Sequence, residues 1–523
     1  MRNLRGSRVL PAAVAVAVLG GLYGLVGVWH PMSLSAGSAP QAPRAVAVSA
    51  VTRACAAPGA GANPGSGIAV MAAPASAGPG GAGPGGAGPG GAVPGTAVVS
   101  RLSGAGSAVP GPRLLSVTQP GSPRFVTVPI DRTRTAKAAR PQKPAGNAVA
   151  SAPAAGGVVV QASGSLAQGL DVEQTSGTSL PTAACGSPGT DFWFLGPGQR
   201  TAPRIQLYLM NPSGQTADAD VDIFTDAGPL QETTDTGISV PAHGMIVQSL
   251  ATALANSRSI TLHVRTSVGQ VVAAVQESTG TGQGAWLPAA QAPSTQLVIP
   301  GLPGVVGTRQ VYVAVPGIKD ANIQVTAVTS RGSYQPTGAS GIDLPGGSAA
   351  EISLPSLSGI PAALKVTANA PVTADVMIPG GTPGSPGTFT AATPAIEEQG
   401  VVADNLVGPA RSSALVLSAP HGTARVNVVE IAAAGSAGQR TQAVQVTAGH
   451  SVVVALRAVP GSPRGTPFAV VITPLAGSGP VYAGRVITGN GVGAALQAML
   501  PVASALTTVP LPPVHNASIT TVP

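Results

Sequence analysis

Few residues in this sequence are equipped for chemistry, and the densest group is acidic: Asp218, Asp220, Asp222 and Asp226 fall within nine positions. The first three alternate, so one face of a strand would carry all three carboxylates, and oxygen ligands at that density suit Ca²⁺. An EF-hand loop is excluded because Ile223 stands where its turn needs glycine. A solvated strand face accounts for the same pattern, so Asp218, Asp220 and Asp222 are weak metal candidates and no cofactor is expected. Glu397-Glu398, further along, offers a thinner version of the same idea at a domain junction. The six histidines (His30, His243, His263, His421, His450, His515) are scattered, and His243 and His450 precede strands at matching places, as turn residues do. His-Glu-x-x-His, Cys-x-x-Cys and Gly-x-Ser-x-Gly are all missing. Gly489-Asn-Gly-Val-Gly493 resembles a nucleotide loop, but no acid follows Glu430 to hold a ribose, so it reads as a turn. No catalytic residue is assigned, and a hydrolase with an unrecognised site is the least favoured class.

Aromatic residues offer a binding alternative. Phe192, Trp193, Phe194 and Trp286 are four of only fourteen aromatics. Trp193 and Trp286, if exposed, would stack on sugar rings as a carbohydrate-binding face; if buried, they fill a core or brace a junction. The two readings predict opposite solvent exposure.

The chain that must position these residues is 523 long, with 44% hydrophobic, 9% charged and 3% aromatic residues. That is too apolar for wholesale disorder and too poor in charge for a coiled coil. Its net +8 is uneven: residues 1–143 carry thirteen bases and one acid, and the remainder is net −4. The basic character therefore belongs to an N-terminal arm, and no nucleic-acid partner is expected. Arg2, Arg5 and Arg8 precede an uncharged run from Val9 to Trp29. This pattern predicts an exported chain held by a signal-anchor helix over residues 1–35 or released by cleavage, with the remainder outside the membrane. Cys55 and Cys185 are the only cysteines, and an even number in an exported chain predicts a disulfide between them. It would tie an N-terminal strand, 45–57, to the first domain. Residues 58–155 read as a low-complexity and basic linker with three Gly-Pro-Gly-Gly-Ala copies, interrupted by short extended segments at 113–118 and 124–129. Its basic end, residues 131–143, is suited to an anionic wall polymer or lipid head groups, or simply to solvation.

Beyond the linker the sequence repeats. Ile205–Pro212, Arg309–Pro316 and Ser413–Pro420 align, their prolines 104 residues apart. Each is followed by Asp220–Phe224, Asn322–Thr326 or Arg425–Val429, then by Val240–Leu250, Leu344–Leu354 or Val446–Leu456, and finally by Val271–Val275, Val372–Val376 or Val481–Arg485. The segments are short, rich in Val, Ile and Thr, alternate polar with apolar, and are punctuated by Gly, Pro and Asn. They predict an all-β protein of three tandem immunoglobulin-like sandwiches at 156–299, 300–395 and 400–510, with a tail at 511–523.

At these residues the chain resembles an actinobacterial family of exported proteins of unknown function, DUF5719. The likeness rests on Cys185 with Asp191-Phe-Trp-Phe194, Tyr208 to Pro212, Gly284-Ala-Trp-Leu-Pro288, Leu297-Val-Ile-Pro-Gly301 and Gly479-Pro-Val-Tyr-Ala-Gly-Arg485. An early cysteine like Cys55 and an export segment also fit the resemblance, whereas the Gly-Pro-Gly-Gly-Ala insert departs from it. The resemblance implies architecture and location, and no mechanism. The expected function is a non-enzymatic, membrane-anchored envelope scaffold with an envelope protein or wall polymer as partner.

Overall fold

In the computed structural model the described residues are 44–56, 67–73, 95–102, 109–117, 124–131, 152–153, 157–175, 182–230, 237–250, 254, 256–278, 284–355, 357–380, 387–408, 411–433, 438–463, 465–489 and 496–511. The predicted signal-anchor helix at 1–35, the Gly-Pro-Gly-Gly-Ala copies and nearly all of the basic stretch 131–143 lie outside them. Two compact units result: Ala47–Thr507, and one formed from the two chain ends, whose described residues are 44–46 of β1 (Arg44–Ala47) and 508–511 of its partner strand β36 (Thr508–Leu511).

The large unit is all β-sandwich. The first sandwich comprises β2 (Ala50–Cys55), β3 (Gly67–Ala72), β4 (Gly95–Arg101), β5 (Val109–Val117), β6 (Arg124–Asp131), β7 (Ala152–Pro153), β8 (Val158–Ser163), β9 (Asp171–Thr175) and β10 (Thr182–Ala184). The second holds β11 (Asp191–Pro197), β12 (Arg204–Met210), β13 (Ala217–Thr225), β14 (Gly228–Leu230), β15 (Ile238–Val240), β16 (Met245–Ser249), β17 (Ser259–Val268), β18 (Val272–Ser278) and β19 (Gly284–Leu287). The third holds β20 (Ser294–Leu302), β21 (Arg309–Val315), β22 (Ala321–Thr329), β23 (Gly332–Tyr334), β24 (Ile342–Leu344), β25 (Ser348–Leu354), β26 (Ala362–Ile378) and β27 (Thr388–Ala391). The fourth holds β28 (Gly400–Asn405), β29 (Arg411–Ala419), β30 (Ala424–Ala432), β31 (Gln439–Val446), β32 (His450–Ala455), β33 (Phe468–Pro474), β34 (Tyr482–Gly489) and β35 (Leu496–Pro501).

The first sandwich corrects the reading of 58–155 as linker. It also moves the start of the next domain, because β8, β9 and β10 of the expected 156–299 domain belong to it. Lettering its strands a to h along the chain and setting aside the two-residue β7, which pairs with β6 at the edge, one sheet runs a-f-c-d (β2-β8-β4-β5) and the other e-b-g-h (β6-β3-β9-β10). The second sandwich has the same two orders, β11-β17-β13-β14 and β16-β12-β18-β19, and so does the fourth, β28-β33-β30-β31 and β32-β29-β34-β35. In the third, the 17-residue β26 serves as f against β20 and β22 and then as g against β21 and β27. The described residues therefore contain four copies of one topology. Even a turn recurs: Thr225 and Thr329 each bond, through the hydroxyl, the carbonyl of a glycine three residues on, Gly228 or Gly332, whose φ values of 111° and 107° need glycine.

The strands form where the alternation said they would. In β13, Val221 and Ile223 point inward while Asp218, Asp220 and Asp222 point away. Other strands are buried on both faces: β3 buries five residues running and β33 another five. Neighbouring sandwiches cover those outer faces. Ala54, Leu102 and Val159 of the first sandwich meet Tyr208, Met210, Val272 and Trp286 of the second. Tyr312, Ala314, Met377 and Phe389 of the third join the apolar cluster of the second, and Val298, Val328 and Ala363 of the third receive Tyr482 of the fourth. Val401, Ala403, Ala469 and Val471 of the fourth then pack on Ala69, Met71 and Phe125 of the first. At each junction the outer face of an a-f-c-d sheet lies on the outer face of an e-b-g-h sheet, and the fourth such junction closes the cycle. Heterologous contacts that close in this way make a ring. The composition follows: sheets covered on both faces need apolar residues at nearly every position, and small ones let them approach closely.

The Cys55–Cys185 disulfide is present. Cys55 ends strand a and Cys185 follows strand h of the same sandwich, so the bond staples the two ends of a complete domain instead of anchoring a lone strand.

Candidate functional site

Three polar clusters stand out from this aliphatic body. One is a surface cleft of about 280 Å³ lined by Thr190, Asp191, Asp220, His263, Arg265, Thr266 and Ser267. Strand pairing builds it. Trp193, His263 and Asp222 stand in one row across β11, β17 and β13, and Asp191, Arg265 and Asp220 in the next. The inner rows of this sheet face lie under the third sandwich; the outer rows form the cleft. His263 stacks on Trp193 with ring centroids 3.8 Å apart and 10° between planes. Its Nε2 is 3.0 Å from Asp191 Oδ1 and its Nδ1 is 3.3 Å from Asp222 Oδ2. Arg265 grips Asp222 from the other side, Nε to Oδ2 at 3.0 Å and Nη2 to Oδ1 at 3.3 Å. Burial lowers the His263 pKa, opposed by Asp191 and Asp222. Both ring nitrogens face carboxylates.

The second site closes the ring. Arg485 on β34 and Glu173 on β9 form an ion pair at 2.8 Å with both side chains fully buried. Arg485 also donates to Thr182 Oγ1 at 2.7 Å and to the Asp404 carbonyl. The Ala403 N–H donates to Glu173 Oε1 at 2.8 Å and to Asp171 Oδ2 at 3.0 Å. Gln399 reaches the Ala73 carbonyl at 2.5 Å, and Arg53 the Leu170 carbonyl at 3.2 Å. Burial raises Asp171 to about 6 against the pull of Arg53, and Glu173 to about 8 against that of Arg485. A third polar cluster lies between the second and third sandwiches. Asp375 is completely buried, opposite Tyr312, with Glu277 nearby and 3% exposed. Burial pushes Asp375 well above its ordinary value and Glu277 to about 7.

The sequence candidates are distributed differently from the expectation. Trp193 and Trp286 are 5% and 6% exposed, the burial that the core-or-junction reading predicts and a sugar-stacking face does not. Trp193 lies beneath His263, and Trp286 braces the first and second sandwiches beside Tyr208, their ring centroids 5.4 Å apart. The acidic row does not converge on one point: Asp222 is held by Arg265, Asp220 accepts the Gly237 N–H at 2.8 Å, and Asp226 accepts the Arg258 N–H at 2.9 Å. No group of three or more His, Cys, Asp or Glu side chains fit to hold a metal occurs among the described residues. His243 does sit in a turn, with φ 51°, and Glu398 accepts two bonds from Thr507 at 2.5 Å. Sequence reasoning missed Arg485, Glu173, Asp375 and Glu277. Arg485 was visible as the one base at the end of a repeat element that is otherwise apolar.

Residues 143–457 match the family described as Family of unknown function (DUF5719). The chain belongs to that family. The match runs from the last strands of the first sandwich to strand e of the fourth. No curated protein and no solved structure matches.

Proposed function

We propose that this member of the DUF5719 family is a non-enzymatic, exported component of the cell envelope, held at the membrane by its N-terminal segment and presenting a closed ring of four β-sandwiches as a rigid platform. The observation that carries the reading is the ring itself, whose last junction is held by the fully buried Arg485–Glu173 pair. The basic-then-apolar N-terminus and the disulfide support export. A rod of three domains, the shape a plain tandem array suggests, is replaced by a ring, which suits a platform with several outward surfaces. A carbohydrate-binding role loses its aromatic faces with the burial of Trp193 and Trp286, and its remaining support is the hydroxyl- and carboxylate-lined cleft beside His263.

The test is co-sedimentation of the chain from Ala45 onward with purified cell-wall material at low and high salt, with and without residues 131–143. Salt-sensitive binding that disappears with that stretch makes it the attachment device. Salt-resistant binding assigns attachment to the sandwiches. Absence of binding in every condition removes the wall-polymer partner and leaves envelope proteins.

A further inference from the structure

Every sandwich in the ring has two lateral sides. Strands h meet one another, β10 with β35, β35 with β27 and β27 with β19, so the a/h side faces the middle and the d/e side faces outward. Outward edges invite pairing with other strands unless they are blunted. In the second and third sandwiches strand d is broken into three-residue pieces, β14 and β15, then β23 and β24. In the first, β5 pairs with β4 through shifted register. The fourth alone keeps an unbroken eight-residue strand, β31, in continuous register with β30. It carries no proline, lysine or bulge.

We propose that β31 is a dimer interface at which a second copy of this chain adds its own β31, antiparallel, about a twofold axis through Gln442. The parity of the hydrogen bonds sets the register. The Ala432 N–H bonds Gly438 O at 3.2 Å, so alternation turns the backbone groups of Arg440, Gln442, Val444 and Val446 toward β30. Those of Gln439, Thr441, Ala443 and Gln445 point outward. Pairing outward groups with outward groups places Thr441 opposite Ala443 of the second copy, Gln439 opposite its Gln445, and Gln442 opposite its own counterpart. Glutamine amides donate and accept at once, so a Gln442 pair is self-complementary. Gln439, Thr441, Gln442, Ala443 and Gln445 are all exposed and uncharged. The one charge, Arg440, is neutralised by Glu430 within the sheet. The two Arg440 positions would lie four residues out of register, about 14 Å apart along the strands and beyond a Debye length of about 8 Å. The product is a continuous sheet of eight strands, within the ordinary range. The inference stands apart from the envelope role.

The experiment uses the full chain in mild detergent, bearing Gln442→Cys. Cys55 and Cys185 are bonded to each other, so the introduced thiols are the only free ones. A residue facing its own counterpart in a pair without mutual hydrogen bonds lies about 4.5 Å away, Cα to Cα, within disulfide reach. Mild oxidation should give a covalent dimer, and adding Ala443→Pro, which deletes an outward N–H, should abolish it. Thr441→Lys, a substitution that leaves the backbone donors in place, should reduce the dimer at least tenfold, and serves if the proline variant fails to fold by circular dichroism. A chain that stays monomeric on oxidation would overturn the proposal. So would a cross-link indifferent to both second substitutions, or a ladder of larger species in place of a dimer.

Discussion

Arg485→Met is the sharpest perturbation of the ring. It removes the ion pair to Glu173 and the bonds to Thr182 and the Asp404 carbonyl, all in a fully buried setting. Breaking one half of a buried pair costs about 3–5 kcal/mol, chiefly because the other charge is left without a partner. Glu173, already raised to about 8, escapes part of that penalty by holding a proton. The expected loss is therefore at the low end, about 3 kcal/mol, or roughly a hundredfold in the equilibrium for opening this junction. Glu173→Leu added to Arg485→Met removes both charges and should recover most of the loss, because an apolar replacement of a buried pair is close to neutral. The assay is amide hydrogen exchange together with urea unfolding. Protection should fall at Ala403 and along β9 and β28, while β12 and β21 at the other junctions keep theirs. A single variant within about 0.5 kcal/mol of the parent, or a double variant as unstable as the two singles added together, would refute the reasoning.

Three further outcomes follow from the same packing. Asp171 and Glu277 have folded-state pKa values raised by burial to about 6 and 7, so their protons stabilise the fold at low pH and that stability is lost as pH rises through those values. Melting temperature should fall between pH 5 and pH 8, and Glu277→Gln, which keeps the neutral form, should make the fall shallower. Reducing Cys55–Cys185, which spans a sequence separation of 130, should cost the first sandwich about 4–5 kcal/mol in the chain-entropy account. A reductant that leaves its urea midpoint unmoved would contradict this. In the ring fragment 47–507, the tryptophans are Trp193 and Trp286; their emission should be blue-shifted, resist acrylamide and stay unchanged on adding soluble wall saccharides. An emission shift with saccharide would return the aromatic-surface reading to the second sandwich.

How much of this was legible depended on spacing. Sandwiches two to four were readable because strands b, c, e and g recur with Pro212, Pro316 and Pro420 at equal intervals. The first copy has its own b strand, Gly67–Ala72, with Pro74 just beyond it, but that proline precedes Pro212 by 138 positions in place of 104. The Gly-Pro-Gly-Gly-Ala insert between strands b and c and the basic stretch between e and f stretch the interval. Strands made of Gly, Ala and Val also merge with the low-complexity background around them. The closed ring left no periodic mark at all. Arg485 and Thr182 are 303 positions apart, and only the fold brings them together. Nor could the sequence tell a Trp at a junction from one on a surface, because Trp286 is flanked by Ala285 and Leu287 in either case. What the alternation did specify, the inward Val221 and Ile223 against the outward Asp218, Asp220 and Asp222, is what the fold realises.

Closure of the ring is the central claim, and small-angle X-ray scattering of residues 47–507 tests it most directly. Four sandwiches packed as one body give a radius of gyration of about 23 Å by the scaling for compact chains. Four sandwiches of about 13 Å each, strung about 30 Å apart as a rod, would give roughly 36 Å. A value near the first is the prediction; a value near the second, or a scattering profile typical of an elongated particle, would contradict the account.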